Sequence, residues 1–209
     1  MPLVACCFGA FLLGAVPWAL LVVRVCKGVD LRTIGSGNVG ATNASRAFTT
    51  KAGRLIAFLA IYLLDAGKGF VSAGLGPSIL GGDAVKAGVL LGASAILGHV
   101  FCPFLRWKGG KGVATATGVL LALDWKLALL SIGVFFVVRL LTGQVFFGSL
   151  ALGLALAVGS VVLSPEVAFG TRLPVTVLCC AIAAFLCFTH RSNLSKHRAH
   201  KQKAAEVAP

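Results

Sequence analysis

Two glycine-rich segments of this 209-residue chain carry residue types that suit phosphate binding. The first covers residues 35–43, with the sequence GSGNVGATN, and Arg46 follows it. Glycines let successive backbone N–H groups turn toward an anion, and an arginine adds two parallel donors. A merely flexible glycine loop is the alternative, but it does not explain the dense hydroxyl and amide side chains. We therefore expect this loop to bind a phosphate group.

The second segment covers residues 108–112, with the sequence KGGKG, and precedes an apolar run. If a helix begins there, its free N-terminal N–H groups, its dipole and the ammonium groups of Lys108 and Lys111 converge on one anion. The alternative is a positively charged anchor at the membrane surface.

Neither segment has the context of a nucleotide-binding motif. Residues 35–40 match G-x-G-x-x-G, but that fingerprint must follow a strand, and here an apolar run and a basic loop precede it. Residues 108–112 are not a Walker A loop, because residue 105 is leucine and Gly112 stands where serine or threonine should follow the lysine.

Two smaller polar pairs lie at or within apolar runs. His190 and Asn193 are three residues apart where the last run ends, a spacing that places both on one helix face. Taken alone, a histidine at this position is more often an interface residue. Asp65 and Lys68 lie inside a run, also three residues apart. We interpret them as a self-neutralising strut for the loops, with a place in the polar pocket as the alternative.

The surrounding composition is that of a membrane protein. Hydrophobic residues make up 58% of the chain and charged residues 12%, so lipid must cover most of the surface. The apolar runs do not alternate in polarity, which favours helices over a barrel. They lie at about 3–23, 55–80, 84–105, 113–123, 126–141, 145–164 and 173–189. We predict an all-α, polytopic integral membrane bundle with about seven transmembrane helices; five or six are the alternatives, because run 113–123 is short.

The distribution of charge predicts an orientation. The net charge is +13, and a seven-span arrangement with the N-terminus outside places fifteen of the nineteen Lys and Arg residues inside. This asymmetry predicts an outside N-terminus and a cytoplasmic C-terminus. The same cations attract anionic lipids and an anionic substrate. We expect one transmembrane domain at 1–194, a basic, frayed tail at 195–209, and cysteines that serve as small apolar residues.

At these motifs the chain resembles the bacterial acyl-phosphate:glycerol-3-phosphate acyltransferase family. The matching segments occur in the family's order and are residues 35–46, Asp65 with Lys68, residues 99–115, and residues 190–193. The resemblance implies transfer of a fatty acyl group from acyl phosphate to the sn-1 hydroxyl of glycerol 3-phosphate. The products are lysophosphatidate and phosphate, in the first step of phospholipid synthesis. It also implies membrane lipids as partners, no metal, cofactor or nucleic acid, a functional monomer, and a bacterial inner membrane location with the active site facing the cytoplasm.

The resemblance also implies roles for particular residues. The catalytic residues are expected to be Ser36, Arg46, Lys108, Lys111, His190 and Asn193. Substrate and phosphate binding is expected from Gly35, Gly37, Asn38, Gly40, Thr42, Asn43, His99, Gly109, Gly110 and Ser149. The chain departs from the family pattern in three places: no Gly-x-Glu ending follows residue 193, Cys102 and Pro103 replace a usual Pro-x order, and Phe146 replaces a polar residue, leaving Ser149.

Two other functional classes fit the motifs less well. An organic-phosphate transporter needs a site near the bilayer midplane, often with broken helices in repeated halves, whereas these polar residues collect at one face. A structural membrane adaptor leaves both glycine-rich motifs unexplained. The predicted inside loops contain carboxylates only at Asp30 and Glu206. A site rich in cations and poor in bases suits anionic substrates and a good leaving group.

Overall fold

The computed structural model describes residues 2–80 and 83–207, with all side chains there except those of residues 75–77, 79, 80, 200, 201 and 203–207. Every regular element in these residues is helical, which confirms the all-α prediction. The chain forms two compact units, residues 1–128 and residues 129–209. Between the apolar runs at 55–80 and 84–105, residues 81 and 82 lie outside the described residues, and Asp83 caps the following helix through hydrogen bonds from the amides of Val85 and Lys86.

The helices of the first unit are connected by segments that include the two glycine-rich loops. They are α1 Pro2–Ala15, α2 Trp18–Lys27, α3 Ala41–Ala44, α4 Lys51–Leu80, α5 Ala84–Val100, α6 Val113–Leu123 and the start of α7 Trp125–Thr142. Single 3₁₀ turns lie at Leu31–Thr33, Ser45–Ala47 and Pro103–Leu105. The second unit contains the rest of α7 with α8 Val145–Val162, α9 Pro165–Ala168, α10 Leu173–Thr189 and α11 Arg191–Val207.

Within the residues that the structure describes, five helical stretches are long and apolar enough to cross a bilayer: Pro2–Lys27, Lys51–Gly74, Ala84–Leu105, Trp125–Thr142 and Val145–Val162. A sixth is present if α10 and the first part of α11, which meet at a 45° bend, count as one span. Helix α6 has 11 residues and is therefore about 16 Å long, roughly half the thickness of the hydrocarbon core. The protein is a multi-span helical membrane protein, and a count of seven requires α6 to serve as a span.

The first predicted run, residues 3–23, is not one straight helix, because it breaks at Pro17. A proline has no N–H to donate and its ring clashes with the preceding turn. At the break, the Val16 carbonyl accepts from the Trp18 amide at 3.1 Å instead of from an amide four residues on. The thiol of Cys102 donates to the Ala15 carbonyl and the ammonium of Lys68 donates to the Val16 carbonyl, each at 3.0 Å. Cys102 therefore makes a specific hydrogen bond and is more than the small apolar residue that was expected.

Glycines bring helices of the first unit into backbone contact. A Cβ atom on Gly98 would overlap the Phe11 carbonyl, so α5 packs directly on α1. A Cβ atom on Gly118 would overlap the Ala66 carbonyl, where α6 crosses α4, and one on Gly69 would overlap the carbonyl of Thr115. Small residues permit such close approach in membrane bundles. The crossing holds α4 against the first turns of α6.

In the second unit, α8 packs on α10, with Gly153 near Ala183. Helix α11 returns toward the start of α8, where the His197 ring lies 5.6 Å from the Phe146 ring and 5.2 Å from the Phe147 ring, measured between centroids. The expected frayed tail therefore begins within a helix, since α11 runs through residues 194 and 195 without a break.

Candidate active site

The first glycine-rich loop is held in shape by the buried side chain of Asn43. Its amide nitrogen donates to the carbonyls of Leu31 at 3.4 Å and Ile34 at 2.9 Å, and its oxygen accepts from the Ser36 amide at 3.0 Å. Both donors and an acceptor position of this amide are thus used inside the loop. Asn43, expected to bind phosphate, is placed here as the residue that shapes the loop.

The loop's glycines have the backbone conformations that the turn requires. Gly35 and Gly37 have φ angles of +54° and +72°, which residues with a Cβ atom rarely adopt. The Gly37 amide donates to the Ile34 carbonyl at 2.9 Å, and the Ser36 amide is bound to Asn43. These two amides therefore do not form the open anion nest that the glycine pattern suggested. An anion near residues 36 and 37 would therefore have to be bound by side chains.

Arg46 and Ser36 are exposed and belong to the same loop. A Cβ atom on Gly35 would lie 2.8 Å from Nη1 of Arg46 and 2.6 Å from Oδ1 of Asn43. Because Gly35 has no side chain, the guanidinium of Arg46 can lie close to the backbone of residue 35.

The remaining predicted residues of this loop also support its turn. The side-chain nitrogen of Asn38 lies 3.0 Å from the place of a Cβ atom on Gly40. Gly40 is the N-cap of α3, and its carbonyl accepts from the amides of Asn43 and Ala44 at 3.0 Å. Thr42 is half-buried, and its carbonyl accepts a hydrogen bond from the Ser45 hydroxyl at 3.0 Å. These contacts hold residues 40–45 in a short helical start.

A carboxylate near the loop is already occupied by a neighbouring cation. Nη2 of Arg32 donates to Asp30 at 2.6 Å, and Nε donates at 3.0 and 3.1 Å. These hydrogen bonds lower the pKa of Asp30 to about 2. Asp30 is thus ionised and paired at neutral pH, so it is a poor proton acceptor for a substrate hydroxyl.

The second glycine-rich loop folds back onto the end of α5. The Gly109 amide donates to the Val100 carbonyl at 2.9 Å, and the Gly110 amide donates to the His99 carbonyl at 3.0 Å. A Cβ atom on Gly109 would overlap the His99 carbonyl, and one on Gly110 would overlap the His99 ring. Both glycines permit close approach to α5. Their amides are bound to protein carbonyls, although the family resemblance implied that both residues bind phosphate.

Helix α6 begins at Val113 with Gly112 at its N-cap, as the pattern predicts. Lys108 is exposed and Lys111 is half-buried, so both lie just before the helix's positive end. Arg106 and Trp107, which precede them, have φ angles of +51° and +63°. Two consecutive left-handed residues with side chains cost about 1–3 kcal/mol each. Nothing in their residue types predicted this conformation.

A buried polar cluster lies beneath the second loop. The ammonium of Lys68 is 2.8 Å from Oδ1 of Asp65, with side-chain exposures of 2% and 3%. Nδ1 of His99 lies 3.6 Å from the same carboxylate oxygen. The predicted ion pair is confirmed, and His99 is a third member that the spacing could not show.

A small pocket connects this cluster with both loops. Its lining includes Val39 of the first loop and the two glycines of the second, with the cluster in its wall: Val39, Asp65, Lys68, His99, Gly109 and Gly110. The first unit thus brings the two predicted phosphate-binding segments to one pocket.

The other predicted residues lie in the second unit. His190 is buried between α10 and α11, with Nδ1 2.9 Å from the Leu186 carbonyl. A carbonyl only accepts, so Nδ1 carries a proton in this contact. The backbone amide of Asn193 donates to the His190 carbonyl at 2.9 Å. Ser149 is buried on α8, and its hydroxyl donates to the Val145 carbonyl at 3.1 Å.

Comparison with known proteins agrees with these motifs. The sequence profile of the family described as glycerol-3-phosphate acyltransferase matches residues 4–200. The chain belongs to this family. The glycerol-3-phosphate acyltransferase of Jannaschia sp. (strain CCS1) is 44% identical over 189 residues, which are 90% of this chain and 85% of that relative. The enzyme of that name from Rhodospirillum rubrum is 40% identical over 197 residues, covering 91% of this chain and 85% of the relative.

Two crystal structures of another member of the glycerol-3-phosphate acyltransferase family are similar to this one. Both are of PlsY, an integral membrane glycerol 3-phosphate acyltransferase. Its glycerol 3-phosphate form has a TM-score of 0.83 and 31% identity, and covers 96% of this chain and 94% of that chain. Its lysophosphatidic acid form has a TM-score of 0.81 and 30% identity, and covers 96% and 93% of the two chains.

Proposed function

We propose that this protein transfers a fatty acyl group from acyl phosphate to the sn-1 hydroxyl of glycerol 3-phosphate, releasing lysophosphatidate and phosphate. The observation that carries the proposal is that the two glycine-rich, cation-bearing loops of the family are neighbours in the first unit, since Val39 of one and Gly109 and Gly110 of the other line one small pocket. The relatives named glycerol-3-phosphate acyltransferase support the acceptor. The cation-rich, base-poor loops support acyl phosphate as the donor.

The side chains divide between phosphate binding and orientation. Arg46 and Ser36 bind a phosphate group at the first loop, since their side chains are exposed there while the neighbouring amides are bound to protein. Lys108 and Lys111 neutralise phosphate charge beside the start of α6, where the helix dipole adds to their effect. His190 and Asn193 orient the glycerol hydroxyls through hydrogen bonds. Asn43, Gly109 and Gly110 act by holding the loops.

The reaction needs little covalent help from the protein. The sn-1 oxygen attacks the carbonyl carbon of acyl phosphate, the C–O bond to phosphate breaks, and the bonding electrons leave with the phosphate. The hydroxyl proton passes to the phosphate of glycerol 3-phosphate, whose second pKa of about 6 leaves it mostly dianionic at neutral pH. Positioning and charge neutralisation supply most of the acceleration.

The proposal includes a membrane arrangement. We propose seven spans with α6 as the shortest, an outside N-terminus and a cytoplasmic C-terminus, in the bacterial inner membrane. The site then faces the cytoplasm, where both phosphorylated substrates are soluble or reach the membrane surface. The acyl chain lies against the spans, and the protein acts as a monomer.

One pair of assays tests the proposed activity against transport. Purified protein in detergent, given acyl phosphate and labelled glycerol 3-phosphate, should form lysophosphatidate, whereas acyl-CoA should not replace acyl phosphate. Sealed vesicles containing the protein should accumulate no free label when acyl phosphate is omitted. Uptake without acyl transfer would make the protein a transporter and contradict the proposal.

A further inference from the structure

The buried pair of Asp65 and Lys68 reaches both sides of the pocket. Besides its 2.8 Å contact with Asp65, the ammonium of Lys68 donates to the Val16 carbonyl at 3.0 Å, at the break between α1 and α2. On the other side, the Asp65 carboxylate faces Nδ1 of His99 at 3.6 Å. A self-contained strut would need only the first of these contacts.

His99 carries this connection into the second glycine-rich loop. Its carbonyl accepts from the Gly110 amide at 3.0 Å, and its ring occupies the space where Gly110 would carry a Cβ atom. A movement of the ring therefore moves residue 110, which lies between Lys108 and Lys111. The carboxylate of Asp65 lies 3.6 Å from Nδ1 of that ring.

The backbone around the pair restricts such movement. Gly118 meets the Ala66 carbonyl and Gly69 meets the Thr115 carbonyl, so α4 and α6 are in direct backbone contact at residues 66 and 69 of α4. One segment of α4 thus contacts the end of α5, the start of α6 and the break between α1 and α2. A displacement of about 1 Å in an active site can lower the reaction rate a hundredfold. A movement of this segment of α4 should therefore change the reaction rate.

We propose that Asp65 and Lys68 are positioning residues of the acyltransferase, which set the place of the 108–112 loop through His99 and hold the α1–α2 break at the pocket. Neither residue touches the reacting atoms. This inference rests on the proposed function, and it extends the residues that determine glycerol 3-phosphate binding to a charged pair in the interior of α4.

The decisive variant removes both charges together. Lys68→Met alone leaves a buried carboxylate without its partner, so it should lower Tm by about 10 °C. The double variant Asp65→Asn with Lys68→Met leaves no unpaired buried charge and should restore Tm to near the wild-type value. If the pair only supports the fold, its kinetics should recover with Tm. Under the proposal they do not: KM for glycerol 3-phosphate stays raised by about tenfold or more.

Asp83 and Lys86 provide a matched control. They form the same pair at the same spacing, 3.2 Å apart, but on an exposed surface at the start of α5. Lys86→Met should leave both KM and Tm unchanged.

A second measurement reports the loop without reference to activity. Hydrogen exchange of a peptide covering residues 108–112 should be faster in the double variant than in the wild type, because the Gly109 and Gly110 amides lose their fixed acceptors. Exchange in the first half of α5 should not change. If the wild type forms no lysophosphatidate, the proposed function fails, and exchange alone then decides the positioning role.

Wild-type KM and wild-type exchange in a folded double variant would overturn the proposal and leave the pair as a strut. If the double variant does not fold, Lys68→Arg repeats the test with both charges retained: KM should rise while Tm is preserved. Failure of both variants to fold would also overturn it, because the pair would then be a requirement for folding.

Discussion

The imidazole of His99 lies directly over the α-carbon of Gly110, in the space that a side chain would fill. The ring can occupy that position only because residue 110 has no Cβ atom. We therefore predict that Gly110→Ala displaces the ring and lowers kcat/KM by about 10–100-fold, measured as lysophosphatidate formation at varied glycerol 3-phosphate. Gly67→Ala in α4 is the control, since a Cβ atom there meets nothing within 4 Å. Equal activity of the two variants would contradict the prediction.

Arg46 tests the phosphate assignment. Lysine keeps the positive charge but loses the planar, two-donor fork that fits a phosphate. We expect Arg46→Lys to lose about 10–100-fold in kcat/KM, the cost of hydrogen bonds to a charged group. Arg24→Lys, on the exposed side of α2, should be silent. Near-native kinetics of Arg46→Lys for both substrates would mean that Arg46 does not bind phosphate.

His190→Gln separates orientation from proton transfer. Glutamine hydrogen bonds but cannot act as a base, and an obligatory base should cost about 10²–10⁴-fold when removed. We expect a loss smaller than a hundredfold, determined from full pH–rate profiles. The acidic limb should persist, because it belongs to the substrate phosphate, which loses its basic form as pH falls through about 6.

His197→Gln in α11 is the control for this substitution. The ring of His197 contacts Phe146 and Phe147, and the proposal gives it no role in the reaction. A larger loss in His190→Gln, with disappearance of the acidic limb and intact substrate binding, would instead identify His190 as the base.

The contact between α1 and α5 sets a stability prediction. A Cβ atom on Gly98 would overlap the Phe11 carbonyl, and neither backbone segment can yield as a flexible side chain does. Overpacking of this kind costs about 1–3 kcal/mol, so Gly98→Ala should lower Tm by about 2–10 °C in a fixed detergent. Gly9→Ala, on the open face of α1, should leave Tm unchanged or raise it slightly. A Gly98→Ala variant as stable as the Gly9→Ala variant would show that the two backbones are not in contact.

Topology has its own experiment. In a background without native cysteines, single probes introduced as Asp30→Cys, Lys108→Cys and His200→Cys should react with an impermeant thiol reagent only from the cytoplasmic side. The expectation follows from the bias of Lys and Arg toward the predicted inside loops. External labelling at any of the three would exclude the proposed seven-span arrangement.

The sequence by itself determined the helical membrane class, the position of the two glycine-rich loops, the start of α6 and the Asp65–Lys68 pair. These features depend on local properties: hydropathy over a helix length, glycine and proline placement, and i to i+3 spacing. The family resemblance was equally accessible, because short contiguous motifs carry it.

Only the tertiary structure decided how those motifs are used. The amides of Gly109 and Gly110 bind carbonyls of α5, and the amide of Ser36 binds the side chain of Asn43, although the glycine pattern alone suggested amides open to phosphate. A pattern shows which conformations are allowed but not which acceptor is nearby. The link from Lys68 to Val16 joins residues 52 positions apart, and it exists because close helix packing brings the α1–α2 break to α4. No local spacing encodes a contact of that kind, since its geometry comes from the assembly of whole helices.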